Sequence, residues 1–283
     1  MKANLDRSLS VQVFNEGQTL CRESYIDCSN YHFMRPILRR IEAVPSSYSH
    51  RGFYASAIEE ALSYTRHDEA KVTISGTADY SWLLVDSPLI MSLGNAGVLA
   101  HIQIVDACPT PTSFSMLASN ELDQHTVRDS TQNITQFLSN EIESDLIVTD
   151  AFLTQFSDKK DRLSILDQWS RSLKLGGYII TTAQVARDHS IEKHKAENTF
   201  INNTAELYSQ SEYPEILQLD NEEFTERIRL YASSNASRIY ESEEEIISEV
   251  VDAGLKITHV VPMSIYSKSS EKILSYCGLV LTK

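Results

Sequence analysis

Apolar residues recur at two different periods along this chain, and the period changes near residue 70. Before it, "YHFMRPILRRIEAV" sets Phe33, Ile37 and Ile41 four apart, and "GFYASAIEEALSY" repeats the interval with Phe53, Ala57 and Ala61. That spacing lines one face of a helix, so residues 1 to about 68 read as a helical layer after an irregular start. Between the two segments, "PSSYSHRG" has the Pro, Ser and Gly density of a loop.

From residue 71 short aliphatic runs alternate with helical patterns. "KVTISG", "HIQIVDAC", "HTVRD", "SDLIVTDAF" and "YIITTAQV" read as strands, with "SWLLVDSPLIMSLG", "SFSMLASNEL" and "KKDRLSILDQWSRSLKLGG" as helices among them. Nearly continuous apolar runs suit strands covered on both faces, and long crossovers suit a parallel sheet. Gly176 and Gly177 read as the stop after the third of these helices. Residues 187 to about 235 break the rhythm with a helical insertion. A closing helix then carries Ile246, Ile247, Val250 and Val251 on one face, and a last strand lies within "SYCGLVLTK". The expected fold class is α/β.

Composition narrows the function classes. The chain has 283 residues, 42% of them hydrophobic and 23% charged, which suits a folded globular protein. A formal charge of -14 repels polyanions, and no basic tract is present, so no nucleic-acid partner is expected. "LRR" at 38–40 and "KKDR" at 159–162 read as solvated helix faces. Cys21, Cys28, Cys108 and Cys277 contain no CxxC spacing and fit reduced thiols in the cytoplasm. The opening residues lack the apolar run of a secretory signal, and no stretch has the roughly twenty apolar residues of a membrane helix. The expected location is cytoplasmic, with no membrane partner.

Parallel strands joined by crossovers leave a crevice at their carboxyl ends, where ligands bind. Gly76, in "ISGTADY", permits a tight turn there and close passage of backbone beside a ligand, although an ordinary strand-to-helix corner needs the same glycine. "HIQIVDAC" brings Asp106 to the end of the next strand, thirty residues beyond Gly76. A carboxylate there suits the vicinal hydroxyls of a ribose; capping a helix is its other use.

Taken in order, "VTISGTADY", "IQIVDACPTP", "SDLIVTDAFLTQF" and "WSRSLKLGGYIITT" resemble a class I S-adenosylmethionine-dependent methyltransferase of the small-molecule type. The resemblance covers residues 70 to 185 and resumes at 242 to 283. It implies a Rossmann-like methyltransferase sheet with helices on both faces and an N-terminal helical lid. The corresponding division is 1–68 as lid or substrate-binding region and 69–283 as cofactor domain, with the insertion at about 187–235. It also implies S-adenosylmethionine as cofactor and methyl transfer to a small-molecule acceptor, with a homodimer as the generic oligomer.

By the same resemblance Gly76 turns the first loop, Asp106 receives the ribose hydroxyls, and Ala107 and Cys108 lie beside the adenine or ribose. Asp129 and Ser130 take the position at the adenine amine. Asp150, Ala151 and Phe152 fall where donor and acceptor meet, with Asp150 toward the cofactor amino group. The first loop departs from the family, with Ile74 in the acidic place and Ala78 and Tyr80 in glycine places. Cyclisation or elimination of the donor, and noncatalytic cofactor binding or scaffolding, therefore stay as alternatives.

Tyr25, Tyr31, Arg51, Phe152 and His189 are the candidates for the acceptor side, and no residue is singled out as the catalytic base. "RDHSIEKH" offers His189 and His194, but neither an HExxH pattern nor a compact Cys/His framework fixes a metal, so none is expected. A P-loop and a GxSxG elbow are also absent from the sequence.

Overall fold

The structure, a computed structural model, describes residues 2–22, 28, 31–64, 68–132, 143–186, 193–234 and 239–283. Seven strands form one sheet in the order β3-β2-β1-β4-β5-β7-β6. They are β1 (Glu69–Ser75), β2 (Leu99–Asp106), β3 (Thr126–Thr131), β4 (Ser144–Val148), β5 (Leu173–Val185), β6 (Lys256–Ser267) and β7 (Lys272–Thr282). The first five run parallel, and β7 inserts antiparallel between β5 and β6. Strand order reverses between β1 and β4, which opens the crevice at the carboxyl ends of those strands.

The helices are α1 (Lys2–Arg22), α2 (Tyr31–Arg40), α3 (Arg51–Tyr64), α4 (Pro88–Ala96) and α5 (Pro109–Ser119). They continue as α6 (Lys159–Ser172), α7 (Lys193–Ser209), α8 (Tyr213–Leu217), α9 (Asn221–Ser234) and α10 (Glu243–Asp252). None among the described residues is long and apolar enough to cross a membrane. Two apolar cores follow from the alternation of strand side chains. Val72, Ile74, Val148 and Ile180 face a core shared with α1 to α5 and with α7 to α9. Ile147, Ile179 and Leu279 face the other core, which α6 and α10 cover through Ile165, Trp169, Ile246 and Val250. On that second side Arg162 is forked onto Glu249, with Nε to Oε2 at 2.9 Å, joining α6 to α10.

Three elements differ from the sequence expectation, each for a local reason. The opening is helical rather than irregular, because Leu5, Leu9, Val13, Gly17 and Cys21 repeat every four residues. Gly17 is needed on that stripe: a Cβ would sit 2.9 Å from Thr110 and 3.0 Å from Phe33, so α1 lies close against α5 and α2. The "SWLLVDSPLIMSLG" segment splits into a 3-10 turn at Tyr80–Leu83 and α4, whose start Ser87 caps by accepting from Ile90 N at 3.2 Å, with Pro88 following. Gly176 and Gly177 lie inside β5 rather than ending a helix. Leu173 pairs with Ser144 and Tyr178 with Leu146, so the residues between them bulge out, and a Cβ at Gly177 would meet the Asp145 carbonyl at 2.9 Å.

The helical layer is tied to the loop after β1 by buried charges. Arg39 donates through Nε to Asp79 Oδ2 at 2.8 Å and through its two terminal nitrogens to Asp6 at 2.6 and 3.1 Å. Arg40 adds a bond to Asp6 at 2.8 Å, and the Tyr80 hydroxyl donates to Asp6 Oδ1 at 2.9 Å. Burial pushes the Asp6 carboxyl up, but Arg39 and Arg40 outweigh it and hold its pKa at about 2.

Arg39→Met keeps the bulk but leaves Asp6 and Asp79 without their cation, and denaturant unfolding is expected to show a loss of about 3–5 kcal/mol. Because the folded pKa of Asp6 lies below its unfolded value, its contribution is present above about pH 4 and disappears as pH falls toward 2. Acid titration of unfolding is expected to show that loss, about 2 kcal/mol, in the parent and a smaller one in Arg39→Met, where Arg40 alone still pairs with Asp6.

Candidate functional site

The crevice is built from the ends of β1, β2 and β4. Gly76 follows β1 with φ of 63°, in the left-handed region that favours glycine, and its amide donates to Val105 O at 2.9 Å. A Cβ there would lie 2.1 Å from the Phe152 ring, so the absent side chain is what lets Phe152 rest on the loop. Phe152 is half-buried and packs edge-on against Phe156, with ring centroids 5.1 Å apart. Asp79 and Tyr80, in the remainder of the loop, turn to the helical layer as described above.

Asp106 closes β2 and is 7% exposed. Its Oδ1 accepts from Cys108 N at 2.8 Å, and the Thr77 amide also bonds to the carboxylate, which aims it at the β1 loop. Burial raises its pKa to about 6 against the opposing pull of His32. Ala107 is half-buried beside it, and Cys108 is fully buried at the start of α5. Asp129 and Ser130 lie inside β3, level with Ile104 and Val105. Asp129 is exposed and sits two residues before the end of its strand, roughly 7 Å below the level of Asp106.

Asp150 is the most heavily engaged residue of the crevice. Its Oδ1 receives the Thr182 hydroxyl at 2.7 Å and the Tyr54 hydroxyl at 3.0 Å, and lies 3.0 Å from His50 Nδ1. Tyr54 also donates to Thr149 O at 2.7 Å, and Thr182 Oγ1 accepts from Ala151 N at 3.0 Å. Burial alone would raise the Asp150 pKa; the His50 charge and bond, the Thr182 bond and the Arg35 charge together hold it below the ordinary value. The same burial, with the negative charge of Asp150, pushes the Tyr54 phenol far up, so it remains a donor. Ala151 adopts φ of 52°, turning the chain directly after Asp150.

The His50 ring is 1% exposed by its side chain, and its Nε2 is buried without a hydrogen-bond partner among the described residues. Tyr276 stands edge-on to it with centroids 4.6 Å apart. Nearby, Tyr31 stacks on Tyr231 at 5.7 Å, and Arg35 lies over the Tyr31 ring at 5.8 Å. Arg35 bonds Pro45 O and reaches the Tyr231 hydroxyl at 3.4 Å, while its Nε is buried and unpartnered among the described residues.

Tyr31 therefore reaches this cluster, whereas Arg51 is exposed at the start of α3. Tyr25 and His189 lie outside the described residues. Sequence reasoning passed over His50, Tyr54, Arg35 and Tyr276. His50 directly precedes Arg51 in "HRGFY", but its signal is a pairing across 100 residues of chain with Asp150, which no local pattern carries. A surface cavity of about 460 Å³, lined by Asp6, Arg39, Tyr48, Asp86 and Lys268 among others, includes none of Gly76, Asp106 or Asp150.

No protein-family model matches the sequence, and no curated protein matches it. Solved structures do match in shape. An S-adenosylmethionine-dependent methyltransferase from Clostridium acetobutylicum ATCC 824 superposes with a TM-score of 0.53 at 13% identity, over 88% of this chain and 97% of that one. A putative sarcosine dimethylglycine methyltransferase from Galdieria sulphuraria gives 0.50 at 15% identity, over 83% and 85%. The cyclase SpnF gives 0.50 at 11% identity, over 81% and 80%. What these structures share with this chain is the Rossmann-like α/β fold, the fold class expected from the sequence.

Gly76→Ala places a methyl group into the Phe152 ring on a backbone of φ 63°. The expected cost is about 1–3 kcal/mol in chemical denaturation. Gly76→Ala combined with Phe152→Ala is expected to recover part of it, since only the steric share depends on the ring.

Proposed function

We propose that the protein is an S-adenosylmethionine-dependent methyltransferase for a small-molecule acceptor that gives up a proton, with His50 as its base. The observation that carries this reading is the His50–Asp150 pair: Nδ1 held at 3.0 Å by a buried carboxylate, Nε2 buried and without a partner. An anionic Asp150 favours the tautomer with hydrogen on Nδ1, which leaves the Nε2 lone pair for an incoming acid. Tyr54 and Thr182 fix the carboxylate and Tyr276 fixes the ring, so the base is oriented before any ligand arrives.

The chain's residues suit the cofactor at its sugar end. Asp106 would accept from the ribose hydroxyls, and the Phe152 ring, which lies against Gly76, would wall the loop. S-adenosylmethionine, when bound, supplies a methyl group already activated by its sulfonium charge. The aromatic faces of Tyr31 and Tyr276, with the cation of Arg35, suit a planar or anionic acceptor. Arg35 keeps its charge, because burial is outweighed by the surrounding tyrosines and Asp79.

A second reading has one specific support. The Phe152 ring lies across Gly76, and Ile74 and Tyr80 stand where the resemblance places an acid and a glycine, so the loop departs from the methyl-transferring pattern. A chain that binds the cofactor without transferring its methyl is the competitor, and one structure of similar shape, SpnF, is described as a [4+2]-cyclase.

Calorimetric titration with S-adenosylmethionine and S-adenosylhomocysteine is expected to show binding. Asp106→Ala should weaken it more than about 10-fold while the thermal transition persists, matching the loss of charged hydrogen bonds. Incubation with a metabolite extract, followed by mass spectrometry, should yield a methylated acceptor and S-adenosylhomocysteine. His50→Gln is expected to lower kcat by about 10²–10⁴-fold with cofactor affinity unchanged. Binding without methylated product would favour the second reading, and no binding at all would overturn both.

A further inference from the structure

The fold brings Cys108 to three side chains that lie within twelve residues of one another in sequence, Cys21, Cys28 and His32. Cys21 ends α1, Cys28 precedes α2, His32 lies in the first turn of α2, and Cys108 stands at the start of α5. Their ligand atoms all lie within 4.8 Å of one another. Cys28 and Cys108 sulfurs are 3.5 Å apart and Cys108 and Cys21 sulfurs 3.8 Å, and all of these cysteines are free.

We propose that Cys21, Cys28, His32 and Cys108 form a closed tetrahedral site for a divalent metal, with zinc as the ion its chemistry suits best. A metal with sulfur ligands at about 2.3 Å in a tetrahedron sets sulfur–sulfur edges of about 3.8 Å, whereas a disulfide needs about 2.0 Å. The observed separations match the first and not the second. Three thiols with one imidazole are a donor set for zinc, and soft sulfur disfavours magnesium and calcium. A second observation points the same way: His32 is 8% exposed, and its Nδ1 is buried without a hydrogen-bond partner among the described residues. Thr110 Oγ1 lies 3.1 Å from Cys21 Sγ, and Asp106 Oδ1 lies 4.0 Å from His32 Nε2, so polar groups flank the four ligands.

The site is structural, since four protein ligands leave no open position. It clamps the end of α1 and the start of α2 onto the turn that follows β2, two residues beyond Asp106. It rests on no part of the methyl-transfer reading. The linear spacing does not complete the set, because Cys108 arrives from a different element eighty residues after Cys28.

The test uses the full chain purified without chelator. Elemental analysis is expected to find about one zinc per chain. Exchange with cobalt is expected to give the visible bands of a tetrahedral site and thiolate-to-cobalt charge transfer in the near ultraviolet. Cys28→Ser, at the least buried of the three thiols, should weaken metal binding more than about 100-fold, beyond the 10–100-fold that outer partners cost. Cys277→Ser, in the opposite core, should leave it unchanged. Metal-free folded protein whose melting is unaffected by chelator, a cobalt spectrum without thiolate bands, or a Cys28–Cys108 disulfide in the intact mass would each overturn the site. Cys108→Ser repeats the test at the turn, and if it does not fold, Cys28→Ser decides.

Discussion

The buried guanidinium of Arg39 holds this protein's unusual first loop in place. Asp79 lies buried in the loop after β1, and an unpaired carboxylate 4% exposed would cost several kcal/mol. Arg39 supplies the countercharge from α2, and Asp6 on α1 completes it. The consequence reaches beyond one ion pair. Because the loop's polar groups are satisfied by the helical layer, α1 and α2 must sit on the sheet for the loop to form, and the helices inherit a fixed position above the crevice. Tyr80 is held in the same way: its ring is fully buried and its hydroxyl bonds Asp6 and Ser10.

That fixed position explains the candidate site. His50 stands just before α3, while Asp150 follows β4, and their approach depends on the helical layer being seated on the sheet. Once seated, the layer excludes water from the pair, which strengthens the interaction that holds the imidazole. Arg35 and Tyr31 come from α2 and reach the same cluster, so the helix that carries the structural cation also carries the acceptor-side groups. Fold and site thus share one element, and a disturbance of α2 acts on both.

The comparison between motif and geometry is informative at particular residues. Asp106 ends β2 and is held there by the Cys108 amide at the start of the crossover helix. Asp129 is embedded within β3, because that strand continues to Thr131 in register with Asp106. Arg51, a candidate for the acceptor side, faces solvent while its neighbour His50 is buried. Adjacent residues at a helix start diverge in direction, and only the packing chooses between them.

Periodicity and strand order were legible in the chain because they are local: aliphatic runs, four-residue stripes and the crossovers between them reflect backbone geometry that each segment satisfies alone. The parallel sheet, its crevice and the place of Asp106 follow from that level. The antiparallel seat of β7, the burial of Arg39 between two carboxylates, the His50–Asp150 pair and the approach of three cysteines to His32 belong to the tertiary structure. Each joins residues from separate elements, and their distances are set by how the two apolar cores close around the sheet rather than by anything adjacent in sequence.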